Sequence, residues 1–196
     1  NSPANYAFDD NATTQWVSQS NTYDSATGDY DSTVVEPKAN MTSNTSGGYT
    51  CGGSSNDGAY YYWKAFNGDF SPSSDAWASN QNVYNTSTGA YNGSANLGTI
   101  VGGTAPNGEY IFLDLPYVVT LQAVKISCRD PWATQYDHAP VDWTLYGRTS
   151  SSTWTQIQQF TNATYTEQVK TFNLTTPATG YDSFAIVVTK LSGGHN

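Results

Sequence analysis

Asn67-Gly68-Asp69 sets two oxygen-bearing side chains around a glycine, with backbone carbonyls beside them. Hard oxygen donors on a tight turn are what Ca²⁺ takes, which makes Asn67 and Asp69 candidate ligands for a structural ion. The same residues also suit an Asx turn closed on its own backbone with no metal, and both readings stay open. Asp9-Asp10-Asn11 carries more charge, but glycosylation at Asn11 would compete with ligation there. Beyond Ca²⁺ no cofactor is called for.

Catalytic chemistry finds little to work with. Histidine occurs only twice, and His138 beside Asp137 is a pair of sequence neighbours, not a triad. The chain has no Gly-x-Ser-x-Gly, no His-Glu-x-x-His and no phosphate loop. Nothing singles out a carboxylate pair of the kind that cleaves glycosides. The chain therefore reads as a non-enzyme. Cys51 and Cys128 both stand in strand-like sequence with no further Cys or His at ligand spacing. A disulfide between them would stabilise by roughly 3–5 kcal/mol in the chain-entropy model; two buried free thiols are the alternative.

Asn-x-Ser/Thr triplets fall at Asn11, Asn40, Asn44, Asn85, Asn92, Asn162 and Asn173, most of them in turn-like sequence where a bulky glycan is tolerated. Ser and Thr are frequent enough for some to arise by chance. Their placement still points to a secreted, N-glycosylated protein, extracellular or at a cell surface. With no initiator Met and no signal peptide, a chain opening at Asn1 reads as a mature or partial product.

Composition narrows the field further. Hydrophobic residues make up 37% of the 196, charged ones 12% and aromatics 14%, with 15 Tyr and 6 Trp. A core built from these would use aromatic and β-branched residues, which favour strands. The formal net charge is −9 with only 7 Lys and Arg, so no basic cluster exists to displace counterions from nucleic acid or to hold an anionic membrane. No apolar run approaches the ~18 residues of a spanning helix.

One element occurs twice. Trp77-Ala78-Ser79 followed by Tyr84-Asn85-Thr86-Ser87-Thr88-Gly89-Ala90-Tyr91 repeats Trp16-Val17-Ser18 followed by Tyr23-Asp24-Ser25-Ala26-Thr27-Gly28-Asp29-Tyr30, without a gap. Only the second copy precedes enough strand-like sequence for a domain. The division expected is an N-terminal arm over residues 1–35 and a sandwich over 36–196. An arm of that length cannot close its own core. It is a flexible remnant, or it packs back on its own sandwich, or its aromatics Phe8, Trp16, Tyr23 and Tyr30 dock on a neighbouring copy and propagate a homo-oligomer or filament.

Strands are legible from residue 109 on. Glu109–Leu115 ends at Pro116; Val118–Cys128, Val141–Tyr146, Trp154–Ile157 and Gln168–Leu174 follow; Ser183–Leu191 runs as a doubly buried strand would. Ala59–Phe66 is either one helical turn or an irregular strand. Short strands with Gly, Pro and Ser turns predict an all-β antiparallel sandwich or barrel.

At this point the residues resemble a family. Ala65-Phe66-Asn67-Gly68-Asp69 with Trp77-Ala78-Ser79 is similar to the Ala-x-Asp-Gly…Trp-x-Ser signature of discoidin-like domains, the coagulation-factor type C group that includes many carbohydrate-binding modules. Glu109–Pro116, Pro140–Gly147 and Phe184–Lys190 resemble that family's strands, in order, so the resemblance covers roughly Met41 to Ser192. It implies a jelly-roll-like, galactose-binding-like sandwich, a Ca²⁺ loop in which Asn67 stands where Asp is usual, and a glycan site at one end. There an aromatic side chain stacks on a sugar while polar ones bond its hydroxyls. The segment Arg129-Asp130-Pro131-Trp132-Ala133-Thr134-Gln135-Tyr136-Asp137-His138 fits such a site, Trp132 stacking and Arg129, Asp130, Gln135, Tyr136 and His138 around it. The plainer alternative is a loop in which Trp132 caps the core and Arg129 pairs with Asp130. The two cysteines do not fall where the family's terminal disulfide does, and the leading half-copy lies outside its fold. The leading expectation is a structural or adhesive protein that self-assembles through its arm; the alternative is a module binding neutral glycans through Arg129–His138.

Overall fold

A computed structural model describes residues 16–24, 29–68, 76–127, 138–149, 152–167 and 169–192, with backbone alone up to residue 34. The strands are β1 (Trp16–Asp24), β2 (Asp29–Glu36), β3 (Thr45–Ser46), β4 (Tyr49–Gly53), β5 (Thr99–Ile100), β6 (Gly103–Thr104), β7 (Glu109–Ser127), β8 (Pro140–Arg148), β9 (Thr155–Phe160) and β10 (Val169–Leu191). A 3₁₀ turn spans Tyr62–Phe66, so the aromatic run before Asn67 is extended at Tyr61 and turns helical from Tyr62. No helix among the described residues is long and apolar enough to cross a membrane.

The two long strands, β7 and β10, each serve two layers. The second half of β7 pairs with the first half of β10, from Val169↔Ser127 to Asn173↔Ala123, and with β1 from Trp16↔Ile126 to Asn21↔Thr120. The first half of β7 pairs with the second half of β10, from Ser183↔Asp114 to Val188↔Glu109, and with β4. One layer is therefore β2-β1-β7-β10 and the other β3-β4-β7-β10-β8-β9, every ladder antiparallel. Residues 115–118 pair with none of β1, β4 or β10. That is why the strand runs through Pro116 instead of stopping at it: the donor that proline lacks is not asked for there.

The layers face each other through aromatic side chains. Phe172 pairs with Val124 in one layer, yet its ring stands edge-on to Trp143 at 5.0 Å and 88°, and Trp143 belongs to the other. Phe160 stacks on the same indole at 4.1 Å. Leu113, Leu121, Val124, Leu145, Phe184 and Ile186 fill the space between, all buried. Burying one such side chain is worth about 1.5–3 kcal/mol. A second cluster lies on the outer face, where Tyr146, Trp154, Ala185 and Val187 are covered by Leu97, Ile100, Tyr110 and Phe112. The unbroken run Phe184–Val188 is doubly buried as expected, with alternate residues feeding alternate clusters. The chain is an all-β antiparallel sandwich.

The leading copy lies on this sheet. β1 extends the first layer and β2 ends it, so the backbone of the arm packs back on its own sandwich. The repeat is a hairpin: Tyr23 pairs with Tyr30 as Tyr84 bridges to Tyr91. The copies differ upstream. Trp16 begins a strand, whereas Trp77 lies in irregular backbone with its indole N–H donated to the Ser55 carbonyl at 2.8 Å.

Candidate functional site at one end of the sandwich

Strand direction decides which loops meet. β4 ends where β7 begins (Gly53↔Ile111), β7 begins where β10 is ending (Glu109↔Val188), and β10 ends where β8 begins (Leu191↔Pro140). The loop after β4, the start of β8 and the loop after β9 thus share one end. From β4 to β8 is three strand spacings, about 14 Å.

A buried carboxylate fixes the first of these loops. Glu109 is 2% exposed. Its Oε2 accepts from the Ser54 and Ser55 hydroxyls, each at 2.5 Å, and its Oε1 from the Tyr91 hydroxyl at 3.1 Å. Hydrogen bonds of this number offset the loss of hydration that a buried carboxylate suffers. The Asn80 N–H donates to Ser55 Oγ and the Asp57 N–H to the Ala78 carbonyl, which ties the loop to the segment after Trp77. Gln81 Nε2 donates to Asp57 Oδ2 at 2.9 Å, and the Tyr60 N–H to the Asp57 carbonyl. The Tyr62 ring occupies the space a side chain at Gly53 would need, 2.8 Å from where its Cβ would stand. What this loop turns outward is Tyr61, 46% exposed. Burial raises the phenols of Tyr62 and Tyr91 above the ordinary value, with Glu109 nearby adding to the effect.

The other side of this end is His138, half-buried in left-handed backbone at φ 72. Next to it Ala139 and Ser192 exchange hydrogen bonds, N–H to Oγ at 3.2 Å and N–H to carbonyl at 2.9 Å. The Tyr165 hydroxyl donates to the Pro140 carbonyl at 2.8 Å, and the Asn162 N–H to Asp142 Oδ1 at 2.8 Å, so the loop after β9 is bound to the start of β8.

Of the glycan-site residues expected from sequence, His138 is at this end, while Arg129, Asp130, Trp132, Gln135 and Tyr136 lie outside the described residues. Tyr61 was missed. The signal was present in Asn56-Asp57-Gly58 followed by Tyr60-Tyr61-Tyr62-Trp63, a turn that delivers an aromatic run.

For the metal, Asn67 is 8% exposed and closes the 3₁₀ turn, and Asp69 lies outside the described residues. Among the described residues no group of three or more His, Cys, Asp or Glu side chains is arranged to hold an ion. Asn40, Asn44, Asn85, Asn92, Asn162 and Asn173 are all exposed; Asn11 lies outside the described residues. Phe8 does too, and Trp16, Tyr23 and Tyr30 are described in backbone only.

The expected Cys51–Cys128 bridge is not formed at its first end. Cys51 is a free, buried thiol with Sγ 3.8 Å from Asn44 Oδ1. It pairs with Leu113 in the first half of β7, while Cys128 lies outside the described residues. Burial, helped by the charge of Asp114, pushes the Cys51 thiol up to about 12.

No protein-family model matches the chain, and no curated protein matches it. Solved structures similar to it include family 32 carbohydrate-binding modules and an F5/8 type C domain. The family 32 module from C. perfringens NanJ, solved in complex with galactose, is 14% identical over 74% of this chain and 85% of that one, at a TM-score of 0.48. Chitosan-binding module 2 of the chitosanase/glucanase from Paenibacillus sp. IK-5, in complex with chitotriose, is 15% identical over 76% and 89%, at 0.49. An F5/8 type C domain from Bacteroides fragilis is 14% identical over 45% and 58%, at 0.36.

Proposed function

We propose that the chain is a non-catalytic, extracellular glycan-binding module that takes neutral glycans at the end of the sandwich carrying Tyr61 and His138. One observation carries the reading: Glu109, buried and accepting from Ser54, Ser55 and Tyr91, pins a loop that turns an aromatic face outward. His138, the first described residue after Trp132 in the sequence, stands at the same end. Tyr61 and His138 follow and precede strands about 14 Å apart in the sheet, a span that suits an extended sugar chain better than a compact apolar ligand. A net charge of −9 disfavours acidic sugars. Ca²⁺ at Asn67 and Asp69, and N-glycans on the exposed sequons, belong to the same picture of a secreted protein. Screening the chain on an array of neutral, acidic and amino sugars tests the reading. Retention by neutral glycans is expected; an array with no bound sugar ends it.

Self-assembly through the arm is the second reading. It has the edge of β2 in its favour, since β2 is the terminal strand of its layer and a terminal strand offers backbone groups to another chain. Particle size before and after deleting residues 1–35 tests it; a monomer that the deletion does not change rules it out.

A further inference from the structure

We infer that Glu36 is a latch holding the leading hairpin on its own sandwich. Glu36 is the last residue of β2, pairs with Ser18 of β1, and is fully buried. Its Oε2 accepts from the Tyr49 hydroxyl at 2.5 Å, and both its oxygens lie in reach of the Tyr117 hydroxyl, at 2.8 and 3.0 Å. The two phenol oxygens are 2.9 Å apart, and the Lys38 N–H donates to the Tyr49 oxygen at 3.2 Å. The Lys38 ammonium sits 4.7 Å over the Tyr117 ring. Tyr49 opens β4 and Tyr117 lies in the stretch of β7 between its ladders, so the carboxylate ties the outermost strand of one layer to β4 and β7 of the other.

The consequence follows from what else holds the hairpin. Among the described residues its backbone bonds to the rest of the sheet run through one ladder, β1 on β7 over Trp16–Asn21. A buried carboxylate keeps its place only while its donors stay in place, and loss of a donor leaves a dehydrated charge that drives the segment toward water. The hairpin therefore opens as a unit when the cluster is broken, and opening uncovers the β7 edge over residues 120–126. An uncovered edge is a template for another strand, so the latch governs whether β7 pairs within the chain or with a second copy. This inference does not depend on glycan binding.

Amide hydrogen exchange on the full chain, for the parent, Glu36→Gln and Tyr117→Phe, tests it. Glu36→Gln should speed exchange at least about tenfold across 16–24 and 29–36 while leaving 184–188 unchanged, as a locally opening unit does. Tyr117→Phe, which removes one donor only, should produce a smaller rise confined to the same residues; it serves alone if Glu36→Gln fails to fold. Exchange unchanged in the hairpin, or raised equally in the hairpin and in 184–188, overturns the latch.

Discussion

Tyr23 lies across from Tyr30 in the ladder joining β1 to β2, the pairing that Tyr84 makes with Tyr91 at the same spacing. The duplicated sequence thus carries a duplicated tyrosine pairing. In the second copy, the Asn85 side chain accepts from the N–H groups of Ser87 and Thr88, both at 2.9 Å, and Gly89 closes the turn at φ +71. Leu191 donates its N–H to the Gly89 carbonyl, and a Cβ at position 89 would collide with the Leu191 carbonyl oxygen. Gly89→Ala should cost about 1–3 kcal/mol from backbone strain plus that contact, read as a lower urea midpoint with unchanged slope.

Phe172 is the side chain that joins the layers through Trp143, so its loss should be felt throughout the sandwich. Phe172→Ala is expected to destabilise by about 3–5 kcal/mol, the range for emptying an aromatic site in a core. Urea unfolding followed by tryptophan fluorescence measures it. A change below about 1 kcal/mol would mean that the layers are not packed through this ring.

Cys51 should behave as an inert thiol. In the native chain it should resist iodoacetamide at pH 8, since burial holds its thiol near 12 and the thiolate is the reactive form. In urea without reductant it should alkylate fully, as mapped by peptide mass. A peptide found cross-linked to Cys128 would contradict the free thiol.

Burial is the leading cause that raises the phenols of Tyr49, Tyr84, Tyr117 and Tyr146 above their ordinary value. Below about pH 10 folded and unfolded chains both keep these protons, and stability is unaffected. Above it the unfolded chain ionises while the folded chain resists, so stability falls as pH rises toward the folded values. The thermal midpoint should show no tyrosine-linked loss up to about pH 9 and decline beyond pH 10. A midpoint that keeps rising past pH 10 would contradict the buried phenols.

Much of the sandwich was legible because burial leaves a pattern. Phe184–Val188 has no polar interruption and is covered on both faces, and in β8 Trp143 and Leu145 feed one cluster while Tyr146 feeds the other. Long-range relations left no such trace. Nothing local in Glu36 shows that Tyr49 and Tyr117 will meet it, nor does β1 announce which edge it joins. Pro116 reads as a stop because the sequence does not disclose that its neighbours need no partner. At the candidate site the aromatic run before Asn67 was visible, but which of its rings faces solvent depends on Glu109, a contact made across more than fifty residues.

The central claim is glycan binding at the Tyr61 and His138 end. Its most direct test is titration calorimetry of the parent, Tyr61→Ala and Trp132→Ala with the best neutral glycan from the array. Each variant should bind at least about tenfold more weakly, the loss of one stacked aromatic face, with thermal midpoints close to the parent's. Affinity unchanged in both variants would contradict a site at this end of the sandwich.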